Sequence, residues 1–510
     1  MFILAYGSIF INIPSTSTMN FEITAKDVMG RIGKLKTPHG IVETPTIMPV
    51  INPNIELIPA GDMEKFGTQI LITNAYVIYR NPNLRENALE KGIHGLLDVE
   101  IPIMTDSGSY QLMIYGDVEI ENEEIVKFQA EVGSDIIVPL DIPTPPDSDY
   151  DTALKDLMIT VEREREAKKF KGNSLLALPI QGSTHIDLRR KSAEEAVKVG
   201  GDLYAIGGLV PLMDTYRFQD VIKIILEVKS ILPSNAVVHL FGAGHPMIFS
   251  LAVALGCDLF DSAAYALYAR DDRYLTPNGT KKLEELHYFP CSCPVCMRYT
   301  PEELKKMEKD ERARILAEHN LYVSFEEIRR IKQAIKENTL FELVESRIRS
   351  HPNLLGAWRL IRDYRDLLDE YDPSIKSSFF YTGVESCYRP TVKRHQERVL
   401  NVEIEKDYVT ISSDEGELAD FYLKAPFGVV PAEMMESYPV GHSEIPESLE
   451  EEAYRIAVEG LLKFLLSNPS KRFLLRVDSR WIEHLNNLPN NVVVECLDRR
   501  GDLDLQGLDT

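Results

Sequence analysis

Ile103-Met104-Thr105-Asp106 is a short apolar run that ends on a carboxylate, and it sets the pattern for the first half of the chain. Seven more such runs lie between residues 40 and 265: Thr46-Ile47-Met48-Pro49-Val50, Ile70-Leu71-Ile72-Thr73-Asn74, Asp135 to Asp141, Leu175 to Gln181, Leu203 to Gly208, Val237 to Gly242, and Leu259-Phe260-Asp261. Runs this short, bounded by turn residues, read as parallel strands buried on both faces. Amphipathic stretches separate several of them, including Glu123 to Val132, Asp149 to Phe170 and Ala193 to Val199. Eight strands alternating with helices predict an α/β fold, a (β/α)8 TIM barrel. A doubly wound sheet is the competing architecture, but no Gly-x-Gly-x-x-Gly follows the first strand.

Barrels of this kind place reactive side chains at the C-terminal ends of their strands. That rule selects Asn74, Asp106, Asp141, Gln181, the pair Gly207-Gly208 and Asp261. Any single Asp among them can be read as a helix N-cap. Three carboxylates on one rim are harder to explain as caps.

The 510 residues exceed one compact core and suit two or three domains. The reading divides them into an N-terminal extension (1–18), a catalytic barrel (19–350) with a zinc-binding region at 280–322, and a C-terminal α+β region (351–510). The segment 279–340 reads as helical and charged. From Val402 onward the texture changes to short strands, Pro-containing loops and an amphipathic helix near Ala453 to Leu466. The apolar start, Met1 to Ile13, has neither a basic flank nor a cleavage site, so it does not read as a signal peptide. A second Met at position 19 makes the first eighteen residues an upstream-start artefact or a disordered extension. No apolar run approaches the ~20 residues of a membrane span. Together with sparse cysteines, this points to a reducing cytoplasm.

Three of the six cysteines, Cys291, Cys293 and Cys296, fall within six positions. Cys-x-Cys joined to Cys-x-x-Cys leaves one tetrahedral position open, which structural zinc fills with a fourth Cys or His. His319, downstream on an expected helix, is the preferred fourth ligand, with His287 the alternative. Four protein ligands leave no place for water, so one structural Zn2+ per chain is expected, outside the chemistry. Reactive thiols without metal are the plainer alternative.

The net charge of −23 runs against binding to phosphate. After residue 400 acids outnumber bases by roughly two to one. The stretch from Arg312 to Arg349 is richer in bases, and a local basic patch can serve RNA whatever the net charge.

Four motifs now resemble one family, the tRNA-guanine transglycosylases, and specifically its archaeal branch. Asp106-Ser107-Gly108-Ser109-Tyr110-Gln111 is similar to the family's Asp-Ser-Gly-Gly-Tyr/Phe-Gln segment, with Ser109 where Gly is usual. Leu255 to Ser262 resembles its Gly-x-Asp-x-Phe-Asp segment, whose last Asp is essential. Tyr204 to Leu209 resembles its Gly-Gly loop, and the cysteine knuckle with a later His its zinc signature. The resemblance implies a cytoplasmic transferase acting in archaeosine biosynthesis. Such an enzyme replaces guanine, at position 15 of the tRNA D-loop, with 7-cyano-7-deazaguanine. Asp261 is then the nucleophile that forms a ribosyl ester, and Asp106 the general acid/base. The two labels can exchange within such a pair. Asp141 can accept from the amine and ring N–H of the base. Gln181 and the Gly207-Gly208 backbone can read its carbonyl and 7-substituent, beside Ser107 of the first motif. Tyr110 and Phe241 are placed to stack on its faces. The plainer reading of the two aromatics is barrel-rim core, and that of Gln181 a loop-fixing hydrogen bond.

The C-terminal extension is what favours the archaeal reaction over a queuine-pathway exchange at an anticodon guanine. The resemblance also implies a homodimer. It leaves a PUA domain either absent or supplied by a separately encoded protein. A glycoside hydrolase using paired carboxylates is a different class, opposed by the cysteine knuckle and by a content of only two Trp. A non-catalytic tRNA-binding subunit is opposed by the presence of both Asp106 and Asp261.

Overall fold

Alternation along the strands decides which side chains meet inside this fold. The computed structural model describes residues 20–109 and 120–497. Eight parallel strands close into a barrel in chain order: β4 (Thr46–Ile51), β5 (Leu71–Asn74), β6 (Ile103–Asp106), β7 (Ile136–Ile137), β8 (Leu175–Ile180), β9 (Leu203–Ile206), β10 (Val237–Leu240) and β11 (Leu259–Ser262). Their numbering follows three earlier strands described below. β11 pairs with β4 to complete the ring. Each expected run therefore forms a barrel strand.

The strands alternate between two cores. Met48, Ile72, Met104, Val237 and Leu259 belong to the barrel interior. Their neighbours Ile47, Leu71, Ile103, Val238 and Phe260 belong to the layer beneath the surrounding helices. Period-two geometry carries the inward set two residues further, to Asn74, Asp106, His239 and Asp261. These four polar residues thus cap an apolar stack at the C-terminal mouth.

The N-terminal mouth is closed by a sheet that the sequence reading did not separate from the barrel. β1 (Phe21–Asp27), β2 (Gly30–Thr37) and β3 (Gly40–Thr44) form an antiparallel meander. Phe21, Leu35 and Val42 pack into the barrel interior from below. Arg31 grips the base of β11 through a bidentate ion pair, with Nε and Nη2 each 2.8 Å from an Asp258 oxygen. Asp135, just before β7, accepts from the His39 backbone N–H at 2.8 Å and contacts the rings of His39 and His94 at 3.0 and 3.1 Å.

The segment read as helical from 279 onward opens instead with a strand. β12 (Arg273–Thr276) and β13 (Gly279–Lys282) make a hairpin before the cysteines. A long helix, Lys309–Glu337, follows. Several bases of the stretch Arg312 to Arg349 are paired within the chain: Arg312 with Asp272, Arg314 with Glu318, Lys332 with Glu43 and Arg347 with Glu327.

The helix Pro352–Trp358 still packs on the barrel helix Phe218–Lys229, and a smaller α+β region follows. Its five-stranded sheet has the order β17 (Gly428–Pro431), β16 (Phe421–Lys424), β15 (Tyr408–Ser412), β19 (Arg472–Val477), β20 (Val492–Cys496). The short β14 (Phe379–Phe380) and β18 (Ser443–Glu444) pair separately. The helix Glu451–Ser467 packs on the sheet, with the Phe464 ring against Phe421 and Phe473. Lys376 bridges Asp27 and Asp372 at 2.6 and 2.7 Å, joining this region to the barrel through buried charges. Among the described residues no helix is long and apolar enough to cross a membrane. The expectations for residues 1–18, for Tyr110 and for the last residues of the chain lie outside those described.

Candidate active site and metal centre

The polar cap opens into a cavity of about 950 Å3, lined by Asp106, Asp141, Gln181, the Gly207-Gly208 pair, Phe241 and Asp261. That volume takes a ligand of drug or nucleobase size with room for attached sugar. With Asn74, which also lines it, all six strand-end selections meet in one place.

Among the described residues, Asp261 is held by one oxygen only. The ring Nε2–H of His239 donates to Oδ1 at 2.9 Å, and the Gly242 backbone N–H donates to the same atom at 2.8 Å. No donor among the described residues reaches Oδ2. A carboxylate fixed through one oxygen and open at the other is oriented for attack on an electrophile. His239 went unnoticed in the sequence because it sits inside an apolar run. Its period-two spacing from Val237 was the available signal.

Asp106 sits differently. Asn74 Nδ2 donates to its Oδ2 at 3.3 Å, and the backbone N–H groups of Ser107 and Gly108 also bond it. Burial, and then the nearby charges of Asp141 and Asp261, raise its carboxyl to about 7 despite those donors. A carboxyl that titrates near neutrality can both give and take a proton. Gly108 makes the turn possible: it has φ +98°, and a Cβ there would lie 2.5 Å from Tyr76 Cβ.

Asp141 lies just past the short β7 and is buried. Burial raises its carboxyl, while hydrogen bonds from Ser109 and Gln181 act the other way. Gln181 spends an amide hydrogen on Asp141. Its Oε1 is buried and accepts from no described residue. Gly207 and Gly208 keep this amide in place, since a Cβ at Gly207 would meet Gln181 Nε2 at 2.4 Å. Ser107 does not line the cavity. It is buried behind, and its hydroxyl meets that of Ser109 at 2.9 Å.

Arg189, which sequence reasoning missed, organises the loops behind this slot. It is fully buried and donates to the Ser183, Ile180 and Gly207 carbonyls at 2.7–2.8 Å. Burial without a carboxylate partner lowers it to about 9. In sequence it is one Arg of an amphipathic helix, with nothing to mark it as internal.

Away from the cavity, Cys291, Cys293, Cys296 and His319 bring their ligand atoms within 4.8 Å of one another. His319 Nε2–H donates to the Leu275 carbonyl at 2.9 Å, which leaves the Nδ1 lone pair 3.4 Å from both Cys293 Sγ and Cys296 Sγ. The Tyr274 ring stacks on the imidazole at 3.7 Å and fixes its plane. Three thiols and an oriented imidazole can hold a metal ion, and the donor set suits a structural one. His287, the alternative ligand, is exposed and outside the cluster.

Fold and site define the class: a TIM-barrel enzyme that gathers three carboxylates around a slot of nucleobase size, with a separate Cys3His cluster able to hold a metal ion. The chain belongs to the family described as queuine tRNA-ribosyltransferase, whose model matches residues 27–353. It is 62% identical to a tRNA-guanine(15) transglycosylase of Archaeoglobus fulgidus, covering 92% of this chain and 98% of that protein. Identity is 52% to the Methanosarcina acetivorans protein of the same name, covering 89% and 93%. A third protein of that name, from Haloarcula marismortui, is 46% identical over 94% and 99% of the two chains.

Proposed function

We propose that this protein exchanges guanine at position 15 of tRNA for 7-cyano-7-deazaguanine through a covalent ribosyl–Asp261 ester. The observation that carries the reading is the asymmetry of the carboxylate pair. Asp261 is anchored at Oδ1 with Oδ2 open, while Asp106 shares the cavity and titrates near neutrality. In the first half-reaction Asp261 Oδ2 bonds to C1′ as the C1′–N9 bond breaks, and protonated Asp106 supplies the proton that guanine takes up. In the second, ionised Asp106 removes the ring N–H proton of the incoming base, whose nitrogen displaces Asp261 from C1′. Two displacements return the original configuration.

Asp141 accepts from the exocyclic amine and ring N–H of the base. The open Oε1 of Gln181 suits a donor, while the second amide hydrogen and the Gly207-Gly208 backbone serve its carbonyl and 7-substituent. Phe241 supplies an apolar face, its ring 4.3 Å from that of His239. A nucleotide read this way must leave its stack to reach the slot. The position is supported by the names of the three relatives, against the anticodon exchange of the queuine pathway.

The test is base exchange on unmodified tRNA with 7-cyano-7-deazaguanine or its 7-aminomethyl analogue, followed by mapping of the modified nucleotide. Incorporation of the cyano base at position 15 is expected. Incorporation at an anticodon guanine, or hydrolysis without incorporation, would refute the reading.

The metal centre we assign to one structural Zn2+, bound by Cys291, Cys293, Cys296 and His319. None of these residues lines the cavity, so the ion serves the fold. Elemental analysis should give one zinc per chain, falling below about one tenth in Cys293→Ser. Because metal binding by such sites is coupled to folding, that variant should also melt several degrees lower. Full zinc content in Cys293→Ser would overturn the assignment.

A further inference from the structure

Two large apolar side chains that remain about half exposed, Tyr216 (48%) and Leu267 (54%), both sit on the wall of the reaction cavity. An exposed ring on the wall of a cavity is surface that a flat ligand can contact. Tyr216 is the better built of the two. Its ring stacks on His351 with centroids 4.7 Å apart and planes at 12°. The buried Phe218 meets both rings edge-on, at 5.9 and 6.2 Å. The backbone of Tyr216 has φ +57°, a conformation uncommon for any residue with a side chain. Asn353 Nδ2 clamps the Tyr216 carbonyl at 3.0 Å. His351 is fixed in turn, since its Nδ1 accepts from the Asn353 backbone N–H at 3.1 Å. One face of Tyr216 is thus supported from behind, and the other is left open at the mouth.

We propose that Tyr216, backed by His351, is a stacking ledge for a base that flanks the extruded guanine. The inference rests on the function proposed above. Drawing one nucleotide into the cavity breaks the stack of its neighbours, and a fixed aromatic ring at the mouth restores a partner to one of them. A π-face serves any base, so the ledge adds affinity for the extruded conformation without reading sequence. It also supplies contact that does not depend on cationic charge, which suits a chain with a net charge of −23.

The experiment uses the full-length protein and tRNA carrying 2-aminopurine at position 14 or at position 16. Binding to the wild type should quench the fluorescence at one of the two positions. Tyr216→Leu keeps the apolar bulk and Tyr216→Phe keeps the ring. The Leu variant should lose the quench and raise the KM for tRNA by roughly five- to a hundredfold, the range of stacking contributions. Its kcat at saturating tRNA and its KM for the free base should change less than about threefold. The Phe variant should retain both the quench and the KM. A Leu variant with unchanged quench and a KM within twofold of wild type overturns the ledge and leaves the base-exchange reading standing. If wild-type protein exchanges no base, that reading falls, and the ledge with it.

Discussion

Asp261→Asn is expected to abolish base exchange, by on the order of 10^4-fold or more, and to remove any covalent tRNA–protein species. The substitution isolates chemistry from structure. Asn keeps an oxygen at the position of Oδ1, where it can still accept from His239 Nε2–H and the Gly242 N–H. What it loses is the open carboxylate oxygen. An amide nitrogen carries no lone pair available for an ester, so the ribosyl group has nothing to bond to. Binding should survive, because the base slot around Asp141 and Gln181 is built by other strands. The check is a denaturing gel of protein incubated with tRNA while the incoming base is withheld. Wild-type protein should show a shifted band that Asp261→Asn lacks. A band that persists in Asp261→Asn and disappears in Asp106→Asn would reverse the roles within the pair.

The ease of reading this site from sequence followed from strand period. Parallel barrel strands are short, apolar on both faces and spaced by helices, so their ends announce themselves. Asn74, Asp106, Gln181, Gly207 and Asp261 stood out because a polar residue or Gly interrupts an apolar run there. His239 obeys the same period but sits within its run, and its role appears only when β10 is laid beside β11. Arg189, the meander β1–β3 and the ledge at His351 depend on partners far away in sequence. Their residues carry no local mark: Phe21, Leu35 and Val42 are ordinary strand residues until they are seen filling the bottom of a barrel. Charge reads incompletely for the same reason. The run of bases from Arg312 to Arg349 looks free in one dimension, and in three it meets Asp272, Glu43 and Glu327.

Asp106→Asn should slow exchange by roughly 10^2- to 10^4-fold, the usual worth of a positioned acid/base group, and should flatten the pH profile. The carboxyl of Asp106 titrates at about 7 because it is buried beside Asp141 and Asp261. Its protonated form is needed to release guanine, so the rate of adduct formation should fall as pH rises above about 7. Its ionised form is needed to accept the proton of the incoming base, so resolution of the adduct should slow as pH falls below about 7. Steady-state exchange then peaks near neutrality, and the Asn variant should show neither limb with this midpoint. Stability gives an independent reading of the same group. The folded-state value lies above the ordinary 3.8, so Asp106 favours the fold fully at pH below about 4, and that contribution is lost as pH rises through 7. Asn cannot ionise. Relative to wild type, Asp106→Asn should therefore gain thermal stability on going from pH 5 to pH 8. A melting-temperature difference that stays constant between those pH values would mean that Asp106 titrates in its ordinary range. The acid/base role would then need another group in the cavity.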